Sequence, residues 1–216
     1  MSASSQLPRG GRSSGRTGGT GRAGRAEGDA RSARGARARI LEASRTLFLE
    51  RGVGAVGVAE LSATAHVSKR TLYQHFAGKD DLILAYLRSL EDDPGAGPER
   101  ALGRSDLTPR ARLLELFATL ADEKHPMRGC PFVNAAVELP DPAHPAHQLA
   151  AQHKRDFAER LTDLAREAGA KDSPRIGRRL ALLYDGAAAQ VVVSDSPDAA
   201  AEAHAMAAAL LDQAID

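Results

Sequence analysis

The stretch Val67-Ser-Lys-Arg-Thr-Leu-Tyr-Gln-His-Phe76 is the most informative part of this 216-residue chain. Leu72 and Phe76 are four residues apart, so a helix places both on one face. Ser68 precedes them and is a residue type that caps helix amino termini. The side chains left for the outer face are all non-acidic: Lys69, Arg70, Thr71, Tyr73, Gln74 and His75. The stretch therefore predicts a short helix with an apolar inner face and a cationic and polar outer face.

A second short helix is predicted immediately before this one. Val58, Leu61 and Ala65 recur at helical spacing, and His66-Val67-Ser68 leaves room only for a tight turn. Two helices joined in this way form a helix-turn-helix, whose second helix enters the major groove of DNA. Cations, hydroxyls and an amide on that helix can meet phosphate oxygens and base edges. The pattern predicts a DNA-binding motif.

Charge is segregated along the chain. Residues 1–39 hold nine Arg against two acids, a net charge of +7, and residues 40–79 hold five basic against three acidic residues, a net charge of +2. Residues 80–216 hold fifteen basic against twenty-three acidic residues, a net charge of −8. A basic amino-terminal region before an acidic remainder predicts that the amino-terminal region binds a polyanion. The acidic remainder disfavours a protein that packages nucleic acid without sequence preference.

Composition excludes several classes of protein. No run approaches the roughly 18 uncharged apolar residues of a membrane span. The amino terminus has no apolar segment of a secretion signal, so we expect a cytoplasmic protein. Cys130 is the single cysteine, which excludes an internal disulfide and a Cys-based zinc site. We expect neither a metal nor a cofactor, and a core of Leu, Ala and Val.

The rest of the chain predicts an all-α protein of about nine helices. Residues 1–33 are rich in Gly, Ser and Arg and are expected to form a disordered basic arm. Residues 91–107 are expected to form a linker. A cap residue followed by Pro predicts most of the later helix starts. These starts are Thr108-Pro109, Cys130-Pro131, Asp141-Pro142 or His144-Pro145, Ser173-Pro174 and Ser196-Pro197.

About 45 residues resemble the amino-terminal domain of TetR-family transcriptional regulators. The matching stretches are Arg39–Phe48, Gly52, Val58–Leu61, Val67–Phe76 and Gly78–Leu82, and Thr71-Leu72-Tyr73, His75-Phe76 and Lys79 are their most specific part. The resemblance implies a homodimeric, ligand-responsive repressor with domains at 34–79 (DNA binding) and 80–216 (effector binding and dimerisation). It also implies that Lys69, Arg70, Tyr73 and, less clearly, Gln74 approach base edges. Thr71, Tyr73, His75 and Lys79 would contact phosphates, and Ser68 would cap the recognition helix.

Two positions depart from the family pattern. Gly57 stands where the family usually has a Thr that caps the second helix, which removes that cap and its phosphate contact. His66 stands where the turn usually has Gly, and a positive φ there would strain a histidine. Near the first helix, Arg31, Arg34, Arg37 and Arg39 either reach the minor groove or flanking phosphates, or belong to a leader that only aids solubility.

The second half of the chain resembles the family only in architecture. A pocket between helices would take a small, mostly apolar ligand. Its candidate wall residues, for each of which plain core is the favoured alternative, are Phe117, Cys130, Phe132, Val133, Phe157, Leu161, Leu183 and Tyr184. The last two helices are Ala-rich, with eight Ala in residues 199–209, and are expected to form the homodimer interface with larger side chains such as Ile176, Leu180, Met206 and Leu211.

The alternative function is that of a helical enzyme or a redox sensor. Cys130 at a helix amino terminus is in an environment that lowers a thiol pKa, but a small apolar residue at a helix start is the favoured explanation. The sequence offers no nucleophile–base pair, phosphate-binding glycine loop or metal motif, so no catalytic residue is predicted. We expect the partners to be a double-stranded, near-palindromic DNA operator, a small-molecule effector and a second copy of the chain.

Overall fold

The computed structural model describes residues 20–91, 93, 97–121, 129–194 and 198–215. Within those residues the protein has ten α-helices, a 3-10 turn at Thr119–Ala121 and no strand. The helices are α1 Thr20–Arg51, α2 Val58–Thr64, α3 Lys69–His75, α4 Lys79–Glu91, α5 Gly97–Leu102, α6 Pro109–Ala118, α7 Pro131–Glu138, α8 Pro145–Glu167, α9 Ser173–Ser194 and α10 Asp198–Ala214. The expectation of an all-α fold is confirmed.

Cap residues place most helix starts where the sequence predicted them. The Thr108 side chain accepts a hydrogen bond from the Ala111 amide at 3.3 Å, and Pro109 begins α6. The His144 ring accepts from the Ala146 amide at 3.1 Å, so α8 begins at Pro145 rather than at Pro142. Each of these caps satisfies an amide that the helix itself leaves unpaired.

Two segments differ from the sequence expectation. Residues 91–107 were expected to be a linker, but α5 lies within them because Ala101 and Leu102 are buried in the core. Residues 20–33 were expected to belong to the disordered arm and instead lie within α1. Their sequence includes four Ala and three Arg, which are strong helix formers, and adding residues to an existing helix costs little. The rest of the expected arm, residues 1–19, lies outside the described residues.

Two apolar clusters organise residues 36–216. The head cluster combines α1 to α4 with α7 and the start of α8, and it includes Ile40, Leu61, Leu72, Phe76, Leu82, Tyr86, Phe132, Ala135 and Ala146. The body cluster combines α5, α6, α9, α10 and the rest of α8, and it includes Leu102, Phe117, Phe157, Leu161, Leu180 and Leu211. The core of the head therefore continues past residue 79 into α4 and takes in α7.

Close packing of α8 against α9 depends on Gly177. A Cβ at this position would lie 2.6 Å from the Thr162 backbone nitrogen and 2.7 Å from its Cα. These distances are shorter than a side chain tolerates, so glycine sets the approach of the two longest helices of the body.

Candidate nucleic-acid interface

The second and third helices form the predicted helix-turn-helix. Leu61, Ala65, Leu72 and Phe76 are all buried and anchor the pair on the head core. The Val67 amide donates to the Ser62 carbonyl at 3.0 Å, which closes the turn between the helices. These contacts hold α3 in one orientation and leave its opposite face free.

The turn contains a strained histidine. His66 has a φ of +52°, in the left-handed region that glycine adopts readily and other residues adopt at a cost. The positive φ that strains a histidine is therefore present at the position where the family usually has Gly.

The two helices begin differently. The Ser68 hydroxyl accepts from the Thr71 amide at 3.0 Å and lies 2.8 Å from the Thr71 hydroxyl, so the predicted cap of α3 is confirmed. Gly57 stands at the amino terminus of α2 and has no side chain with which to cap it. The start of α2 therefore depends on the loop before it.

The outer face of α3 carries the predicted reading side chains. Lys69, Arg70 and Gln74 are exposed, and Tyr73 keeps 54% of its surface accessible. Thr71 and His75 are half-buried. Large exposed side chains that could form hydrogen bonds, on a helix without a carboxylate, suit the approach of a phosphate backbone.

Lys79 is half-buried at the start of α4. Its Nζ donates to the Gly54 carbonyl oxygen at 3.1 Å, in the loop before α2. An ammonium has three donors, so this contact leaves two of them for a phosphate.

The acidic residues near the helix-turn-helix are engaged by other groups. Glu60 pairs with Arg51, and the Asp81 carboxylate accepts from the Ala77 amide at 3.0 Å at the start of α4. Asp80 lies 3.6 Å from the His144 ring nitrogen Nε2. Arg51 therefore offsets the charge of Glu60, whereas the Asp81 carboxylate is held by the backbone and Asp80 is exposed.

The four arginines considered for minor-groove or phosphate contact, Arg31, Arg34, Arg37 and Arg39, all lie in α1. Arg39 donates from Nε to the Ala65 carbonyl at 3.2 Å, and the Arg37 guanidinium stands 5.3 Å from the Phe76 ring centroid. Both contacts support the helix-turn-helix from within the protein. The side chains of Arg31 and Arg34 lie outside the described residues.

The candidate pocket residues divide between the two clusters. Phe117, Phe157 and Tyr184 form an aromatic group in the body, with ring centroids 5.9 Å apart for Phe117–Tyr184 and 5.4 Å apart for Phe157–Tyr184. Leu161 is buried in the same cluster, and Leu183 packs against it. Burial raises the pKa of the Tyr184 hydroxyl above its ordinary value, so the aromatic group stays neutral.

The remaining pocket candidates lie near the head. Phe132 is in the head cluster, Cys130 packs against that cluster, and Val133 is exposed. Sequence reasoning missed the partner of Phe132, which is the His153 ring. The two rings are stacked, with their centroids 3.6 Å apart and an angle of 5° between their planes. Burial lowers the pKa of His153 below its ordinary value, and the Glu91 carboxylate lies 3.5 Å from its Nδ1.

Two surface clefts lie apart from those aromatic residues. A cleft of about 710 Å³ lies between α4 and α8 and is lined by Leu84, Arg88, Leu149, Arg155 and their neighbours. A cleft of about 300 Å³ lies beside α1, α3 and α4 and includes Arg37, His75 and Arg88. No group of three or more His, Cys, Asp or Glu side chains suited to a metal ion occurs within the described ranges.

The last two helices expose apolar side chains. Leu182 and Val193 of α9 keep 74% and 82% of their surface accessible, and Met206 of α10 keeps 52%. Ile176, Leu180 and Leu211, expected at a dimer interface, are instead buried in the body core because they face the neighbouring helices of the same chain. In the part of the chain that is described, no helix has the length and apolarity to cross a membrane.

The buried apolar anchor, the side-chain cap of α3 and the exposed acid-free face of α3 define the head as a helix-turn-helix DNA-binding module. Residues 40–86 match the family model described as bacterial regulatory proteins, tetR family. Residues 109–207 match the model of a tetracyclin repressor-like C-terminal domain.

Solved and curated relatives agree with these matches. The structure of a TetR-family transcriptional regulator from Streptomyces coelicolor aligns with a TM-score of 0.77 at 34% identity, over 84% of this chain and 97% of that one. The transcriptional activator FasR of Mycolicibacterium smegmatis is 40% identical over 36% of this chain and 35% of its own length. The transcriptional repressor KstR2 of Rhodococcus jostii is 35% identical over 39% of this chain and 41% of its own length. The chain thus spans well under half the length of these two curated relatives.

The chain belongs to the TetR family of transcriptional regulators, as the resemblance of its first half indicated. It is a DNA-binding regulator and not an enzyme.

Proposed function

We propose that this regulator binds a near-palindromic DNA operator as a homodimer and represses transcription until a small, mostly apolar ligand releases it. The observation that carries the proposal is the acid-free, exposed outer face of α3, held by the buried Leu72 and Phe76. Lys69, Arg70, Tyr73 and Gln74 would approach base edges. Thr71, Tyr73, His75 and Lys79 would hold phosphates, with the amino terminus of α4 beside them.

The exposed apolar side chains of α9 and α10 support a dimer. Leu182 and Val193 lie eleven residues apart on α9, which is close to three helical turns, so they face the same side. A second copy that covers this side would remove both from water. Two heads would then meet successive major grooves roughly 34–36 Å apart, or at a multiple of that spacing.

The aromatic group of Phe117, Phe157 and Tyr184 supports an apolar effector. A ligand bound beside it would act by favouring a conformer whose two heads are wrongly spaced, because only differential affinity for two states can shift their populations. Repression is proposed because occlusion of a promoter needs no additional activating surface. A cytoplasmic location follows from the same role.

Selection of bound fragments from random duplex DNA tests the proposal. The full chain should enrich a sequence with two related half-sites. Lys69→Ala and Arg70→Ala should then relax preference at a few positions, each with a loss on the order of 1–3 kcal/mol where a base contact is bidentate. Recovery of unrelated fragments at physiological salt would refute sequence-specific binding.

A further inference from the structure

A carboxylate from the second half of the chain contacts the loop that precedes the helix-turn-helix. Glu138, the last residue of α7, accepts a hydrogen bond from the Gly54 amide to Oε2 at 2.5 Å. The same carboxylate fills the space beside Gly52, where φ is +88° and a Cβ would overlap Oε1. Both glycines therefore provide the room that the Glu138 carboxylate occupies.

The loop is held from its other side by the head. The Gly54 carbonyl accepts from Lys79 Nζ at 3.1 Å, and Val53 and Val56 are buried in the head core. Both backbone polar groups of Gly54 are thus engaged, the amide by α7 and the carbonyl by the start of α4. Because Gly57 gives α2 no side-chain cap, these contacts position the start of α2.

The α7 helix is itself fixed to α8. Phe132 of α7 stacks on the His153 ring of α8. At the other end of α7, His147 Nδ1 lies 3.2 Å from the Ala136 carbonyl oxygen and 3.1 Å from the Leu139 carbonyl oxygen. A displacement of α7 or α8 would therefore move Glu138 relative to Gly54.

We infer that Glu138 is a positioning residue for DNA binding, which holds the loop before α2 so that α3 is presented in its binding orientation. The inference rests on the proposed function, since it concerns how well the head reads DNA. Without this contact the head would spend part of its time in orientations that do not bind, and the apparent affinity would fall by that fraction. The contact also gives the effector half a direct route to the loop, in addition to the Asp80–His144 contact that joins α4 to α8.

Four variants of the full chain separate this role from the charge of Glu138. Glu138→Ala removes both the acceptor and the charge, and Glu138→Gln keeps an acceptor but removes the charge. Glu138→Asp keeps the charge but shortens the reach by one methylene. Glu159→Ala removes an exposed glutamate of α8 and is the matched control. Loss of charge alone would strengthen DNA binding, because it removes repulsion from phosphates.

Affinity for a duplex selected from random DNA is measured by fluorescence anisotropy, with thermal melting as a check on folding. We expect Glu138→Ala and Glu138→Asp to bind about three- to tenfold more weakly, because one net hydrogen bond of ordinary strength is lost at a partly exposed site. Glu138→Gln should stay within about twofold of the wild type, and Glu159→Ala should be unchanged. Exchange of the Gly54 amide with solvent deuterium should accelerate in Glu138→Ala.

Wild-type affinity in Glu138→Ala, or equal losses in Glu138→Gln and Glu138→Ala, would overturn the inference. Faster Gly54 exchange together with unchanged DNA affinity would show a structural contact only and would also overturn it. If the wild-type chain itself prefers no duplex, the proposed function fails first and the positioning role fails with it. The exchange rate of Gly54 would still report whether the contact exists.

Discussion

We predict that loss of the Tyr73 hydroxyl weakens DNA binding about tenfold at each half-site. Tyr73→Phe keeps the ring on α3 and removes only this group. A hydrogen bond to a charged phosphate is worth about 1.5–3 kcal/mol, and the lower end applies because Tyr73 is 54% exposed and water competes for it. About 1.5 kcal/mol corresponds to roughly a tenfold change in Kd at one head, and both heads of a dimer lose it.

Fluorescence anisotropy with the selected duplex measures this loss at several salt concentrations. The salt dependence should keep its slope, because the lost group carries no charge. Thermal stability should stay within about 0.5 kcal/mol, as for other exposed positions. Tyr184→Phe makes the same chemical change in the body and should bind normally. Equal affinity of Tyr73→Phe and wild type, or an equal loss in Tyr184→Phe, would refute the assignment.

Four further substitutions test the fold, the phosphate contact, the turn and a half-buried histidine. Leu72→Ala removes a fully buried side chain and should cost about 2–5 kcal/mol, seen as a fall in Tm on the order of 10 °C. Lys79→Gln should weaken binding to all duplexes and reduce the salt slope by about one unit per head. His66→Gly relieves the strain of the φ of +52° but increases the conformational entropy of the unfolded chain. The free energy of unfolding, measured by chemical denaturation, should rise by up to about 1 kcal/mol. A fall of more than about 1 kcal/mol would contradict the strained turn. Burial lowers the pKa of His153, so the imidazole binds a proton more readily in the unfolded chain than in the folded one. Stability is therefore lost as the pH falls below about 6.5. The Tm of His153→Gln should depend less on pH between 7 and 5 than that of the wild type.

The head was predictable because its signals are local. Leu72 and Phe76 are one helical turn apart, and Ser68 caps the helix three residues before Thr71, so a short stretch specifies α3 on its own. The same holds for the cap at Thr108. The all-α class of the second half was predictable for a similar reason. Apolar periodicity and Pro at helix starts identify helices without information on the segments that pack against them.

The contacts between distant segments could not be predicted. Ala101 and Leu102 looked like part of a linker, because nothing in the sequence shows which core would bury them. Phe132 was grouped with Phe117 as a pocket residue, although α7 in fact packs in the head cluster. The Gly54–Glu138 contact joins residues 84 positions apart, and only the tertiary packing of α7 against the head brings them together.

We claim that α3 reads base edges, and base-by-base substitution of the selected duplex tests this. Affinities of the wild type and Arg70→Ala are measured for every single substitution in one half-site. We predict that the wild type loses about 1–3 kcal/mol at each specified position. Arg70→Ala should lose discrimination at one or two positions and keep it at the others. A discrimination profile with the same shape in both proteins would contradict the claim.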